Sequence, residues 1–159
     1  MQHKAVPACS AADLRASAAF QGATGSQLGA INITNTSTLR CALPAAPDIS
    51  LSWHGHSLAV RTIAFPAQWL DRMNPRWSHR VAALRPHAHA QVVLQWFNWC
   101  GPTTWGASTG LHVTVAVSIP HQPAPILATT RDLVEPPFCN VKPRSGTGST
   151  VRVSPFVSP

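Results

Sequence analysis

Apolar residues recur at every second position in several stretches of this chain, which is the signature of half-buried strands. Within residues 25–44, Gly29, Ile31 and Ile33 share one face, while Asn32 and Thr34 point the other way. Asn35-Thr36-Ser37-Thr38 then predicts a turn, since such side chains bond their own backbone. Cys41 follows, where Cys9 can reach it across the turn-back. Upstream, a capped single turn at residues 10–13 leads into Leu14, Ala16, Ala18 and Phe20, a first strand. Downstream, Ile49, Leu51 and Trp53 alternate with serine, His54-Gly55 signals a turn, and Leu58 and Val60 begin the return.

The clearest strand opens at Leu84-Arg85-Pro86. Ala88, Ala90, Val92, Leu94 and Trp96 fall on one face, and His87, His89, Gln91 and Gln95 on the other. Val93 is the one exception to the alternation. Leu111, Val113, Val115, Val117 and Ile119 form a second inward row. Val151, Val153 and Phe156 supply a last strand. Residues 61–80 differ: Pro66 in a first turn and Pro75 at the end bracket a short helix, with Trp69, Leu70 and Met73 on one face. This segment reads as an insertion between strands. Seven or eight short strands so spaced predict an all-β fold, an antiparallel sandwich, with a tail at residues 1–8 and one domain over 9–159.

Composition supports strands over helices. Only 11% of residues are charged, against roughly 25% in ordinary soluble domains, so the polar surface is Ser, Thr, Asn, Gln and His. Fifteen prolines argue against long helices. The net charge of +7 implies attraction to anionic surfaces of any kind, whether nucleic acid, acidic cell-wall polymer or phospholipid headgroup, and the partner expected is an anionic cell-wall polymer or another envelope protein. No specific nucleic-acid partner is expected, because the outward strand faces lack the aromatics that stack on bases. No apolar run is long enough to cross a membrane as a helix.

Four cysteines, at positions 9, 41, 100 and 139, show no C-x-x-C spacing, which disfavours a zinc knuckle or a redox pair. Sequential pairing, Cys9 with Cys41 and Cys100 with Cys139, fits best among the three possible connectivities. Disulfides imply an oxidising compartment, so the expected location is extracellular or at the cell envelope. The first residues carry no apolar export run, so either an export signal was removed or is missing from this sequence, or the protein is cytosolic with free thiols; removal is the expectation.

Taken together, Cys9-Ser-Ala-Ala-Asp-Leu14, the strand at 25–35, Cys41-Ala-Leu-Pro44 with Pro47, Leu84-x-Pro86 leading to Ala90 and Trp96, and the late Cys100 and Cys139 resemble a known family. It is a bacterial secreted and lipoprotein domain family of unknown function, abundant in actinobacteria. The resemblance implies an immunoglobulin-like sandwich, usually exported and often tethered. It also implies a first bridge closing after the Asn-Thr turn and a second tying the later strands. His87 stands where the family tends to have glycine. The resemblance brings no activity with it.

Candidate chemistry is sparse. Gly106-Ala-Ser108-Thr-Gly110 fits G-x-S-x-G, but in a loop before a strand rather than at a strand-to-helix turn, so Ser108 reads as a chance match. Carboxylates occur only at Asp13, Asp48, Asp71, Asp132 and Glu135, too few and scattered for acid-pair catalysis. No catalytic residue and no cofactor is expected. Two His-x-His pairs, His54/His56 and His87/His89, would chelate Zn or Cu if each shared a strand face with a third ligand. The best binding candidate is the 61–80 segment, with Trp69, Arg72, Arg76, Trp77 and Arg80, because Arg and Trp dominate interaction hot spots. The competing reading is a flap covering the end of the core. Asn32-Ile-Thr34 and Asn35-Thr-Ser37 fit the glycan-acceptor pattern, which matters only in a eukaryotic secretory host.

Overall fold

A computed structural model describes residues 4–23, 25–58, 60–99, 110–137, 139 and 149–159. The chain forms β1 (Leu14–Ala23), β2 (Ser26–Asn35), β3 (Cys41–Ala42), β4 (Asp48–Trp53), β5 (His56–Leu58) and β6 (Arg61–Ala64). Helix α1 (Ala67–Met73) follows, then β7 (Ala83–Leu84), β8 (His89–Asn98), β9 (Thr114–Ser118), β10 (Ile126–Thr129) and β11 (Thr150–Val157). Five strands make one sheet in the order β1-β2-β8-β11-β6, and four make another in the order β10-β9-β4-β5. The short strands β3 and β7 pair separately.

The alternation becomes burial. In β2, Gly29, Ile31, Ile33 and Asn35 are buried and the residues between them are half-buried. One hydrophobic cluster draws Ile31 and Ile33 from β2, Val92, Leu94 and Trp96 from β8, Leu51 from β4, and Val115 and Val117 from β9. Inward residues of both sheets therefore share one core. Each such side chain contributes on the order of 1.5–3 kcal/mol on leaving water, which gives the period of two its force.

Several expectations need correction. Eleven strands occur among the described residues rather than seven or eight, because short pairings such as β3–β7 leave no alternation to read. The sheets are antiparallel except where β6 runs parallel to β11. Residues 61–64 are thus a strand of the larger sheet, not part of an insertion. The predicted continuous strand from Leu84 is interrupted by a turn at Pro86 and His87, whose φ of 62° takes the chain out of the ladder. Strands β8 and β9 belong to different sheets. Ser10 precedes the 3-10 turn Ala11–Asp13 without a side-chain cap; the Asp13 N–H bonds the Ser10 carbonyl instead, at 3.0 Å.

Cys9 and Cys41 are joined, both buried. This is the disulfide found among the described residues. The expected Cys100–Cys139 bridge involves Cys100, which lies outside them, although Cys139 is not a free thiol. Ser108 also lies outside the described residues.

Candidate functional site

Segment 61–80 turns from strand to helix at Pro66, which has no N–H to leave unpaired at a helix start. The N–H groups of Trp69 and Leu70 bond the Pro66 carbonyl at 3.0 and 3.4 Å. Asn74 then stops α1 in extended conformation, and its Oδ1 accepts the Arg76 N–H at 3.0 Å to open the 3-10 helix Pro75–Ser78. Beyond it, Ser158 N–H bonds His79 O and Val81 N–H bonds Phe156 O, both at 2.9 Å, fastening the segment to β11.

A second, small core lies beneath this segment. Phe65 and Leu70 pack with Val93 and Val157, flanked by Leu28 and Trp77. Val93, the residue that broke the alternation of β8, is therefore apolar on the outer face because α1 covers it there. Leu70 is buried there, over an outer sheet face rather than the end of the core. The shared face of Trp69, Leu70 and Met73 does not hold as a buried stripe, since Trp69 and Met73 are 38% and 42% exposed.

The five candidate binding residues separate into different environments. Trp77 is half-buried and donates from Nε1 to Gln91 Oε1 at 3.0 Å, and Gln91 Nε2 donates to Asn32 Oδ1 at 3.0 Å. This chain of amides pins the indole to the sheet. Trp69 lies against Arg152, whose guanidinium carbon is 4.6 Å from the Trp69 ring centroid and 4.3 Å from that of Phe97. Arg152 also donates to Gln95 Oε1 at 3.0 Å. Arg72 and Arg76 are exposed. Arg80 lies elsewhere, lining clefts beside β6 and β11.

Arg152 and Phe97 were missed by the sequence reading. Arg152 occupies the polar position between Val151 and Val153, so its outward direction was legible. Its aromatic partners come from β8 and α1, and only the register that sets Arg152 beside Gln95 brings them together.

Neither histidine pair lies on one strand face. His54 and His87 sit in turns with φ of 46° and 62°, so the two-residue spacing does not align their rings with His56 and His89. Instead, His54 meets the Trp53 ring edge-on at 4.7 Å between centroids, and His89 Nδ1 is 2.8 Å from Thr34 Oγ1. Among the described residues no group of three His, Cys, Asp or Glu is placed to hold a metal ion.

No helix among the described residues is long and apolar enough to cross a membrane. No curated protein and no solved structure matches the chain. The model of a family described as a domain of unknown function, DUF4232, matches residues 9–156, from the first bridged cysteine to Phe156 in β11, and the chain belongs to that family.

Proposed function

We propose that this chain is a non-catalytic binding module of immunoglobulin-like sandwich architecture, working at the cell envelope of a bacterium. Its ligand surface is the basic, aromatic shoulder formed by Trp69, Arg72 and Arg76, and its partner there is an anionic cell-wall polymer. The observation that carries this reading is the state of those side chains. Arg72 and Arg76 are exposed and, among the described residues, no carboxylate pairs with them. Arg72 follows Trp69 by three residues in α1, on the neighbouring turn of the helix, and the exposed Trp69 indole is already stacked on a third arginine, Arg152. An unpaired cation beside an aromatic face suits a polyanion with sugar or polyol units, where charge steers approach and the ring supplies contact area.

The buried Cys9–Cys41 bridge supports an extracytoplasmic setting, and the net charge of +7 suits an anionic partner. Retention on immobilised acidic cell-wall polymer tests the site. Trp69→Ala and Arg76→Ala should each weaken retention by about tenfold if they are hot spots, while Arg131→Ala, an equal charge loss elsewhere, should change it little. Equal retention of all three variants would remove the shoulder from consideration.

A further inference from the structure

Strand β6 ends the five-stranded sheet, and β11 is its one partner among the described residues. The Arg61 N–H bonds Ser149 O at 2.8 Å and the Phe65 N–H bonds Val153 O at 3.1 Å. Along a strand, alternate residues direct their N–H and C=O to opposite sides. Arg61, Ile63 and Phe65 therefore face β11, and the backbone groups of Thr62 and Ala64 face the free edge. Among the described residues none pairs with them.

A cleft of about 280 Å³ is lined by Thr62–Phe65, at β6 and its end, and by Ala45, Ala46 and Pro47. Val153, Ser154, Pro155 and Arg80 complete its lining. A second cleft of about 220 Å³, reaching Leu43 and Phe156, shares Ala45, Arg80 and Pro155 with the first. Arg80 thus stands where the two meet. It is exposed, and no carboxylate pairs with it among the described residues. Arg61 adds a second exposed cation at the start of the edge.

We propose that the free edge of β6 takes up an extended, acidic segment of a partner polypeptide as an added strand, with one of its carboxylates held by Arg80. Main-chain pairing to Thr62 and Ala64 supplies register and affinity, as in other strand-addition sites. The small lining side chains leave room for a backbone to approach closely. The unpaired guanidinium, in a protein of net charge +7, selects Asp or Glu over Lys or Arg. This surface is separate from the shoulder of Trp69, Arg72 and Arg76 and does not depend on the polymer reading.

The test is an array of random peptides of about eight residues, the usual strand length, probed with the full chain. Enrichment of β-forming sequences with a carboxylate at one fixed position is expected. Arg80→Glu should weaken the best binder by about tenfold or more, the loss of a charge-assisted hydrogen bond. Thr62→Pro should do the same, because it removes a donor aimed at the free edge while leaving the Arg61 and Phe65 bonds to β11. Should Thr62→Pro fail to fold, methylating alternate backbone nitrogens of the best binder must abolish binding to the unaltered chain. Arg131→Ala should leave binding within about twofold. An array without binders, or binders indifferent to Arg80→Glu and to backbone methylation, would overturn the proposal.

Discussion

Asn35 Nδ2 donates to the carbonyl of Leu84 at 3.2 Å, joining the end of β2 to β7 across 49 residues of sequence. The same amide donates to Leu39 O at 2.8 Å and Arg85 O at 3.3 Å, and its Oδ1 accepts from Ser37 N and Oγ. The backbone adds two more ties, Asn35 N–H to Ala88 O and His87 N–H to Asn35 O. One fully buried side chain therefore holds the 36–40 turn, the short strand β7 and the approach to β8 together.

Asn35→Leu fills similar space but leaves carbonyls of the turn and β7 without their donor. The expected loss is about 2–4 kcal/mol, the cost of one or two stranded buried acceptors. Asn35→Asp should be no better, since an acceptor then faces acceptors. Urea unfolding measures this: the midpoint should fall with the slope unchanged. A loss below about 1 kcal/mol, the worth of a single ordinary hydrogen bond, would mean that the turn is held by its own backbone.

Gly29 faces Phe20 across the β1–β2 pair, and a Cβ on Gly29 would lie 2.5 Å from the Phe20 ring. The ring occupies the space that a side chain would need, so here glycine serves close approach rather than a turn. Gly29→Ala should cost about 1–3 kcal/mol by overpacking. Combining it with Phe20→Ala should recover part of that loss, so the two changes should be clearly non-additive in a double-mutant cycle. Additive effects would show that the ring moves aside freely.

How much of this was legible beforehand differs from element to element. The inward rows of β2, β8 and β9 followed from alternation because burial on one face is a local property of each strand. The first bridge was among the readable features as well, since Cys41 follows a turn. Strand β10 was hidden behind the prolines at 120–125, and β6 behind the helix that follows it. The role of Asn35 was half visible: its turn chemistry was apparent, whereas its reach to Leu84 depends on where β7 returns. Val93 was visible as an exception but not as a contact, because its partner α1 lies 20 to 26 residues earlier. Trp77 and Arg80 lie near Trp69 in sequence but meet other surroundings, Gln91 of β8 for Trp77 and the clefts beside β6 and β11 for Arg80, because the chain turns twice between α1 and β7.

The Cys9–Cys41 bridge spans a sequence separation of 32 and is reinforced by Cys9 N–H to Ala42 O at 2.8 Å and Ala42 N–H to Pro7 O at 2.7 Å. Replacing both cysteines by alanine releases a loop of that length in the unfolded chain. The expected loss is about 3–4 kcal/mol, and the urea slope should rise because the unfolded state becomes more open. That change in slope separates this variant from Asn35→Leu. A double variant with unaltered slope and midpoint would show that the backbone pairing alone secures the first residues.

Ser154 Oγ accepts the buried Val93 N–H at 2.7 Å, at the place where the register between β11 and β8 shifts. The irregularity lies between Val153 and Phe156, where Pro155 stands, and it takes the backbone carbonyl out of reach of Val93. The hydroxyl substitutes for that carbonyl and donates its own hydrogen bond to Pro155 O at 2.7 Å. Ser154→Ala strands a buried N–H in the middle of the central strand, at an expected cost of about 1–3 kcal/mol. Ser154→Thr retains the oxygen and should keep most of the stability if its methyl fits, whereas Ser154→Val, its near-isostere, should not. Hydrogen exchange at Val93 gives the local reading: protection should fall in the alanine variant beyond the global change in stability. A Val93 amide whose protection follows only the global change would mean that water or a shifted carbonyl takes over, and that the irregularity in β11 is not held by Ser154.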